Sequence, residues 1–274
     1  MSKKVVVMGS FDNVRSRDVR LLEEASKIGE LQLLLWSDKA LRNLEGREPN
    51  FPQEERLYVL QAIRYVAQVT LLTGQFDRDS LPQVEDFRPD IWVVDADSDA
   101  PKKQRYCESL GLEYRVLKHA DLQGFPVLDN TRSNNSPARK KVLVTGCYDW
   151  FHSGHVRFFE ETSQLGDLYV IVGHDENIRL LKGEGHPMFS QDERRYMVEA
   201  IRYVKQALIS TGHGWMDAEP EIDKIKPDIY AVNEDGDKPE KRYYCQRRGF
   251  GYVVLKRTPK EGLPRRESTI LRGF

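Results

Sequence analysis

What this chain lacks sets its first bounds. Three cysteines, Cys107, Cys147 and Cys245, are too few and too scattered for a disulfide framework or a zinc site. The formal net charge is only −1, so no bulk field draws the chain to nucleic acid or to a membrane surface. Nor does any apolar run approach the roughly 18 residues that a membrane-spanning helix needs. Met1-Ser2-Lys3-Lys4 leads straight into a strand pattern, and no signal peptide is expected. Together these absences predict a reduced, cytoplasmic protein with no nucleic-acid partner and no membrane span. Histidine is scarce as well, six in all, so the place of each one is informative.

What is present is the mixture of an ordinary globular protein, 31% charged and 39% hydrophobic. The length of 274 residues fits one large or two ordinary domains. Basic residues are unevenly spread. Six of them fall between Lys256 and Arg272, a patch that suits a polyphosphate.

Internal repetition decides the architecture. Ala62-Ile63-Arg64-Tyr65-Val66 recurs as Ala200-Ile201-Arg202-Tyr203-Val204, and Arg88-Pro89-Asp90-Ile91-Trp92 as Lys226-Pro227-Asp228-Ile229-Tyr230. Tyr114-Arg115-Val116-Leu117-Lys118 recurs as Tyr252-Val253-Val254-Leu255-Lys256, Glu54-Glu55-Arg56 as Asp192-Glu193-Arg194, and Cys107 as Cys245. All share one offset, so the chain is a tandem duplication. In the second copy strands fit 141–145, 168–173, 206–210, 229–232 and 251–255. Helices fit 155–165, 191–203, 217–225 and 238–248, with a short one near 268–273. Near-continuous apolar strands alternating with helices predict an α/β fold of two tandem, doubly wound, Rossmann-like parallel sheets. The polar stretch Thr131–Ala138 reads as a connection, which gives a first domain over 1–132, a linker over 133–139 and a second domain over 140–274.

The chemistry concentrates at Lys141–His155. A five-residue strand runs into Gly146, then Cys147-Tyr148-Asp149, and His152-Ser153-Gly154-His155 opens a helix. Free N–H groups and the macrodipole at such a helix start favour an anion, and Gly154 lets a phosphate approach the backbone closely. The alternative for two histidines is a capping or core role. The stretch resembles the signature of the cytidylyltransferase-like nucleotidyltransferases that carry an H-x-G-H motif. That group moves a nucleoside monophosphate from CTP or ATP onto a phosphate of a small acceptor and releases pyrophosphate.

The resemblance implies roles residue by residue. His152 and His155 are expected to donate to the triphosphate, and Lys182, on a glycine-flanked loop after the second strand, to neutralise phosphates of both substrates. Arg257 resembles the family's Arg-Thr at the end of the last strand, and Ser268-Thr269 its closing Ser-Thr. Arg265-Arg266-Glu267 departs from the usual Gly-Ile-Ser, while adding two guanidinium groups suited to phosphate. Gly146, Cys147, Tyr148, Asp149 and Gly154 are expected to surround the nucleotide. Asp149 would sit beside the triphosphate and its Mg²⁺, or simply hold an Asx-turn. Asn233 and Asp235, in a turn after the fourth strand, would read base or ribose. Arg194 would reach the acceptor, or form a helix-start salt bridge. The result is one cationic pocket of imidazoles, an ammonium and guanidinium groups.

The first copy keeps the strand and Gly9-Ser10-Phe11-Asp12, but Arg15, Arg17 and Asp18 replace His152, Gly154 and His155. Glu45 replaces Lys182 and His119 replaces Arg257. Two carboxylates at phosphate positions would repel a triphosphate. The first domain is therefore expected to be a non-catalytic partner in an intramolecular pseudo-dimer, with homo-oligomerisation left open. The tandem arrangement resembles ethanolamine-phosphate cytidylyltransferase, and the lysine segment resembles the choline- and glycerol-phosphate enzymes. Both favour CTP over ATP as donor and a small phosphorylated alcohol as acceptor. The Ser-Thr-Ile-Leu-Arg ending also suits an adenylyltransferase, and a non-catalytic nucleotide sensor is the alternative outside enzymes.

Overall fold

The computed structural model describes residues 2–85, 87–128, 139–268 and 271. Two compact units divide the chain between Gly124 and Phe125.

In the first unit the order is β1 (Lys4–Gly9), α1 (Ser16–Ile28), β2 (Glu30–Trp36), α2 (Asp38–Glu45), α3 (Gln53–Gln61), β3 (Gln68–Leu72), β4 (Ile91–Asp95), α4 (Pro101–Leu110) and β5 (Glu113–Leu117). The five strands form one parallel sheet in the order β3-β2-β1-β4-β5. Val5, Val6, Leu33, Leu35, Ile91 and Val93 lose essentially all contact with solvent. That is why these strands are unbroken apolar runs: helices cover both faces.

The second unit repeats the plan with β6 (Lys141–Gly146), α5 (Ser153–Ser163), β7 (Asp167–Val172), α6 (Asp175–Lys182), α7 (Gln191–Glu199), β8 (Val204–Ile209), α8 (Glu219–Ile225), β9 (Ile229–Asn233), α9 (Pro239–Arg248) and β10 (Gly251–Leu255). Its strand order, β10-β9-β6-β7-β8, matches that of the first unit strand for strand. The order reverses between β6 and β9, so a crevice opens beyond their carboxyl ends, where doubly wound sheets take ligands.

The repeated Pro-Asp motif has a visible cause. Asp228 accepts a hydrogen bond from the backbone N–H of Lys141 (2.7 Å) and returns its own N–H to the Lys141 carbonyl (2.9 Å). Asp90 treats Lys4 in the same way, at 2.7 and 2.8 Å. Each motif leads into the strand beside the central one and pins the central strand's first residue.

Three expectations change. Residue 182 lies in a helix, α6, because His174 caps it by accepting from the Asn177 N–H and Asp175-Glu176 supply first-turn acid. The helix expected over 191–203 ends at Glu199. The boundary expected at 132 falls earlier: Arg195 donates to the carbonyls of Phe125 (2.7 Å) and Pro126 (3.2 Å), which ties this stretch to α7. Most of the expected linker and of the short helix near 268–273 lies outside the described residues.

Candidate active site

The site begins where β6 stops. Tyr148 takes a left-handed conformation (φ 55°), and its ring folds back over Gly146, where a Cβ would lie 2.7 Å from the ring. A side chain at 146 is excluded on that ground. Phe11 (φ 46°) packs over Gly9 in the first unit, so the turn belongs to the fold and not to one copy.

The turn delivers Asp149 into the crevice wall. Its Oδ1 accepts from the N–H groups of Met188 (2.8 Å) and Phe189 (3.0 Å), stitching the loop before α7 to the strand end. Asp12 does the same for Asn50 and Phe51. The second oxygen differs between the units. Asp12 Oδ2 is occupied by Arg47 Nη1 (2.5 Å) and Asn50 Nδ2 (2.8 Å), whereas the buried Asp149 Oδ2 accepts no hydrogen bond.

His152 is the N-cap of α5. Its Nδ1 accepts from the Gly154 N–H (3.1 Å), which fixes the neutral tautomer and leaves the proton on Nε2, 3.4 Å from Ser268 Oγ. Gly154 follows from this fold-back, since a Cβ there would meet the imidazole at 2.9 Å. His155 stacks on His152 with ring centroids 4.0 Å apart. Burial, then the nearby Arg257 and Arg266 guanidinium groups, push His152 down to about 3. Burial, with His152, Arg257 and Lys182 behind it, holds His155 well below the usual imidazole range. Both rings are therefore neutral near pH 7. The expected cationic imidazoles are corrected to neutral donors and acceptors, and the positive charge comes from other groups.

A cavity of ≈ 400 Å³ fills the crevice. Of the residues singled out in the sequence, it gathers Gly146, Cys147, Tyr148, Asp149, His152, Gly154, His155, Lys182, Asn233, Asp235, Arg257 and Ser268. Lys182 stands exposed on its rim as the last residue of α6, with Gly183 (φ 85°) ending the helix. Arg257 Nη1 pairs with Asp235 Oδ2 (2.8 Å) and its Nη2 donates to the Arg266 carbonyl (3.2 Å). Arg265 and Arg266 line a small adjoining recess shared with Gly154, Asn233 and Arg257, and not the cavity itself. Thr269 lies outside the described residues.

Arg194 is corrected from acceptor ligand to structural knot. It is 1% exposed, and it donates to the carbonyls of Phe189, Cys147 and Gly173 and to Asp175 Oδ1 (2.7 Å). Arg56 makes the matching set with Phe51, Ser10, Trp36 and Asp38. A residue that does the same work in both units holds the strand ends in place. Sequence reasoning missed Lys241, which lines the cavity from α9; its repeat as Lys103 was the available signal.

In the first unit the side chains at the matching places pair with one another. Arg17, at the position of Gly154, pairs with Asp97 and Asp95 and lies 3.0 Å from His119 Nδ1. Glu45 and Asp12 both engage Arg47. Burial raises Asp18, at the position of His155, to about 6, against the N–H bond it accepts from Arg15.

Among the described residues no three carboxylate, histidine or cysteine groups cluster as a resident metal site. Asp149 Oδ2, which accepts no hydrogen bond and has His186 Nδ1 3.7 Å away, fits a Mg²⁺ carried in by the substrate, since Mg²⁺ keeps most of its waters and typically takes one or two carboxylates plus phosphate oxygens.

The description "Cytidylyltransferase-like" names the family model that matches residues 6–128 and 143–257. FAD synthase of Ferroglobus placidus is 38% identical over 125 residues, covering 44% of this chain and 78% of that protein. FAD synthase of Aciduliprofundum boonei is 34% identical over 119 residues, covering 42% and 76%. Bifunctional protein HldE of Campylobacter concisus is 35% identical over 99 residues, covering 35% of this chain and 20% of that protein. With a crevice of this lining and a family match over both units, the chain belongs to the cytidylyltransferase-like family and is a nucleotidyltransferase.

Proposed function

We propose that the second unit transfers an adenylyl group from ATP to the phosphate of a small phosphorylated acceptor, releasing pyrophosphate. The observation that carries the site is the cavity itself, where the H-x-G-H helix start, Lys182, Arg257 and an Asp149 oxygen that accepts no hydrogen bond converge. ATP is favoured over the CTP expected from the sequence because two relatives carry the name FAD synthase, and FAD contains an adenylate joined to a flavin phosphate. CTP remains the second reading on one observation, the tandem duplication.

An acceptor phosphate oxygen attacks the α-phosphorus in line, and the bond from that phosphorus to the bridging oxygen of pyrophosphate breaks. The protein supplies position and charge. His152 offers its Nε2–H, Lys182 offers an exposed ammonium from the rim, and the positive end of the α5 dipole favours the departing phosphates. As negative charge arrives, both imidazoles gain proton affinity and become better donors. Asp149 Oδ2 would hold Mg²⁺, which when bound offsets phosphate charge. Arg194 holds the carbonyls of Gly173 and of Cys147, the latter at the cavity wall, and touches no substrate.

Pyrophosphate release is measured with Mg²⁺, ATP or CTP, and a panel containing FMN, glycerol phosphate and ethanolamine phosphate. Turnover with ATP and one acceptor is expected, and His155→Ala should lower it by about 100-fold or more, in the range typical of lost transition-state donors. Asp18→Ala should leave it unchanged. Nucleotide binding without turnover on any acceptor would turn the reading to a sensor, and turnover with CTP alone would reverse the donor.

A further inference from the structure

Lys241 and Lys103 occupy equivalent places in the two units, and only one of them is satisfied. Lys103 Nζ donates to the Ser98 carbonyl (2.5 Å) while lying 5.8 Å from the centroid of Trp92. Lys241 Nζ lies 6.0 Å from the centroid of Tyr230, yet it donates no hydrogen bond and forms no ion pair among the described residues. The residue matching Ser98 is Gly236, whose loop leaves the ammonium facing the cavity; a Cβ on Gly236 would sit 4.0 Å from Nζ.

We propose that Lys241 is the donor that recognises the nucleoside portion of the donor nucleotide, through a ring nitrogen, ring carbonyl or ribose oxygen. This rests on the adenylyl-transfer reading of the same cavity. The apolar wall beside Lys241 favours a nucleoside partner over a phosphate. Ala231 and Val232 supply apolar wall on the β9 side, and the Asp235 carboxylate close by is already paired with Arg257 (2.8 Å). Groups suited to phosphate are already supplied by the start of α5, by Lys182 on α6 and by Arg257. An uncharged heterocycle or sugar bearing acceptors satisfies both the apolar wall and the ammonium. Burial, with Lys238 beside it, lowers the proton affinity of Lys241, which fits a group set to share its hydrogens with a ligand in place of water.

The test separates nucleoside from phosphate. Dissociation constants for ATP and for inorganic tripolyphosphate, each with Mg²⁺, are measured by calorimetry on the full chain, wild type against Lys241→Met and Lys241→Arg. Lys241→Met should weaken ATP about 10-fold, leave tripolyphosphate within twofold, and raise KM for ATP far more than it lowers kcat. Lys241→Arg, which keeps a donor, should recover most of the loss. Equal weakening of ATP and tripolyphosphate, or no change in either, would overturn the assignment while leaving the parent reading intact. A wild type that binds tripolyphosphate but neither ATP nor CTP would remove both. Unchanged melting of Lys241→Met, whose side chain matches lysine in length, shows that the fold is kept. If it melts early, the recovery in Lys241→Arg carries the decision.

Discussion

His152 carries three constraints in one side chain. Its Nδ1 caps α5, its ring excludes any Cβ at Gly154, and its burial empties it of charge. The last constraint has a pH signature. Unfolded, the imidazole titrates near 6.5; folded, it is pushed down to about 3. Between those values the unfolded chain binds a proton that the folded chain does not, so stability is complete above about 6.5 and lost as the pH falls. From pH 6.5 to 5 this amounts to at most about 2 kcal/mol. His152→Asn keeps an N-cap acceptor and removes the titration. The decrease in urea midpoint between pH 7.5 and 5 should be smaller in this variant than in wild type, and equal slopes would place the acid sensitivity elsewhere. The residues of the H-x-G-H stretch were legible in the sequence, but their protonation was not, because burial is a property of the packed pocket.

Elements show the same division between pattern and context. The strands were read within a residue or two because burial on both faces writes itself as apolar runs, as in Val142, Leu143 and Val144. The helix ending at Lys182 was hidden by its flanking glycines, which mark the end of α6 and were read as a loop. Arg194 was ambiguous in sequence, since a substrate ligand and a structural knot both call for a buried guanidinium. The matching bonds of Arg56 in the first unit, where Asp18 and Glu45 stand in place of His155 and Lys182, decide for the knot. Removing it leaves three carbonyls and the Asp175 carboxylate short of donors inside the unit. Arg194→Met should therefore destabilise the second unit by about 3 kcal/mol or more, the scale seen when one partner of a buried pair is removed. Chemical denaturation followed by Trp fluorescence measures it. Activity at low denaturant should persist in whatever fraction remains folded, and a stable but inactive variant would return Arg194 to the substrate.

At the scale of the whole chain, duplication has left two sheets of one order with two different crevices. The second is lined by unpaired donors such as Lys241; in the first, the side chains at the matching positions pair with one another. Arg17 enters where Gly154 leaves space, and Asp95, Asp97 and His119 hold it there. Asp18 and Glu45 add negative charge at positions that would face phosphate. Sequence alignment of the copies exposed the substitutions, but not that they engage one another as a plug, since Arg17 and His119 are distant in the chain. One nucleotide per chain should bind in calorimetry, and His155→Ala should weaken that single event without revealing another. Arg17→Gly removes the plug alone. It should still bind no second nucleotide, because Asp95 and Asp97, which the guanidinium had paired, would then present uncompensated like charge to a phosphate. A second binding event in Arg17→Gly would mean that the guanidinium alone had been excluding the ligand, and that the first unit retains the rest of a nucleotide site.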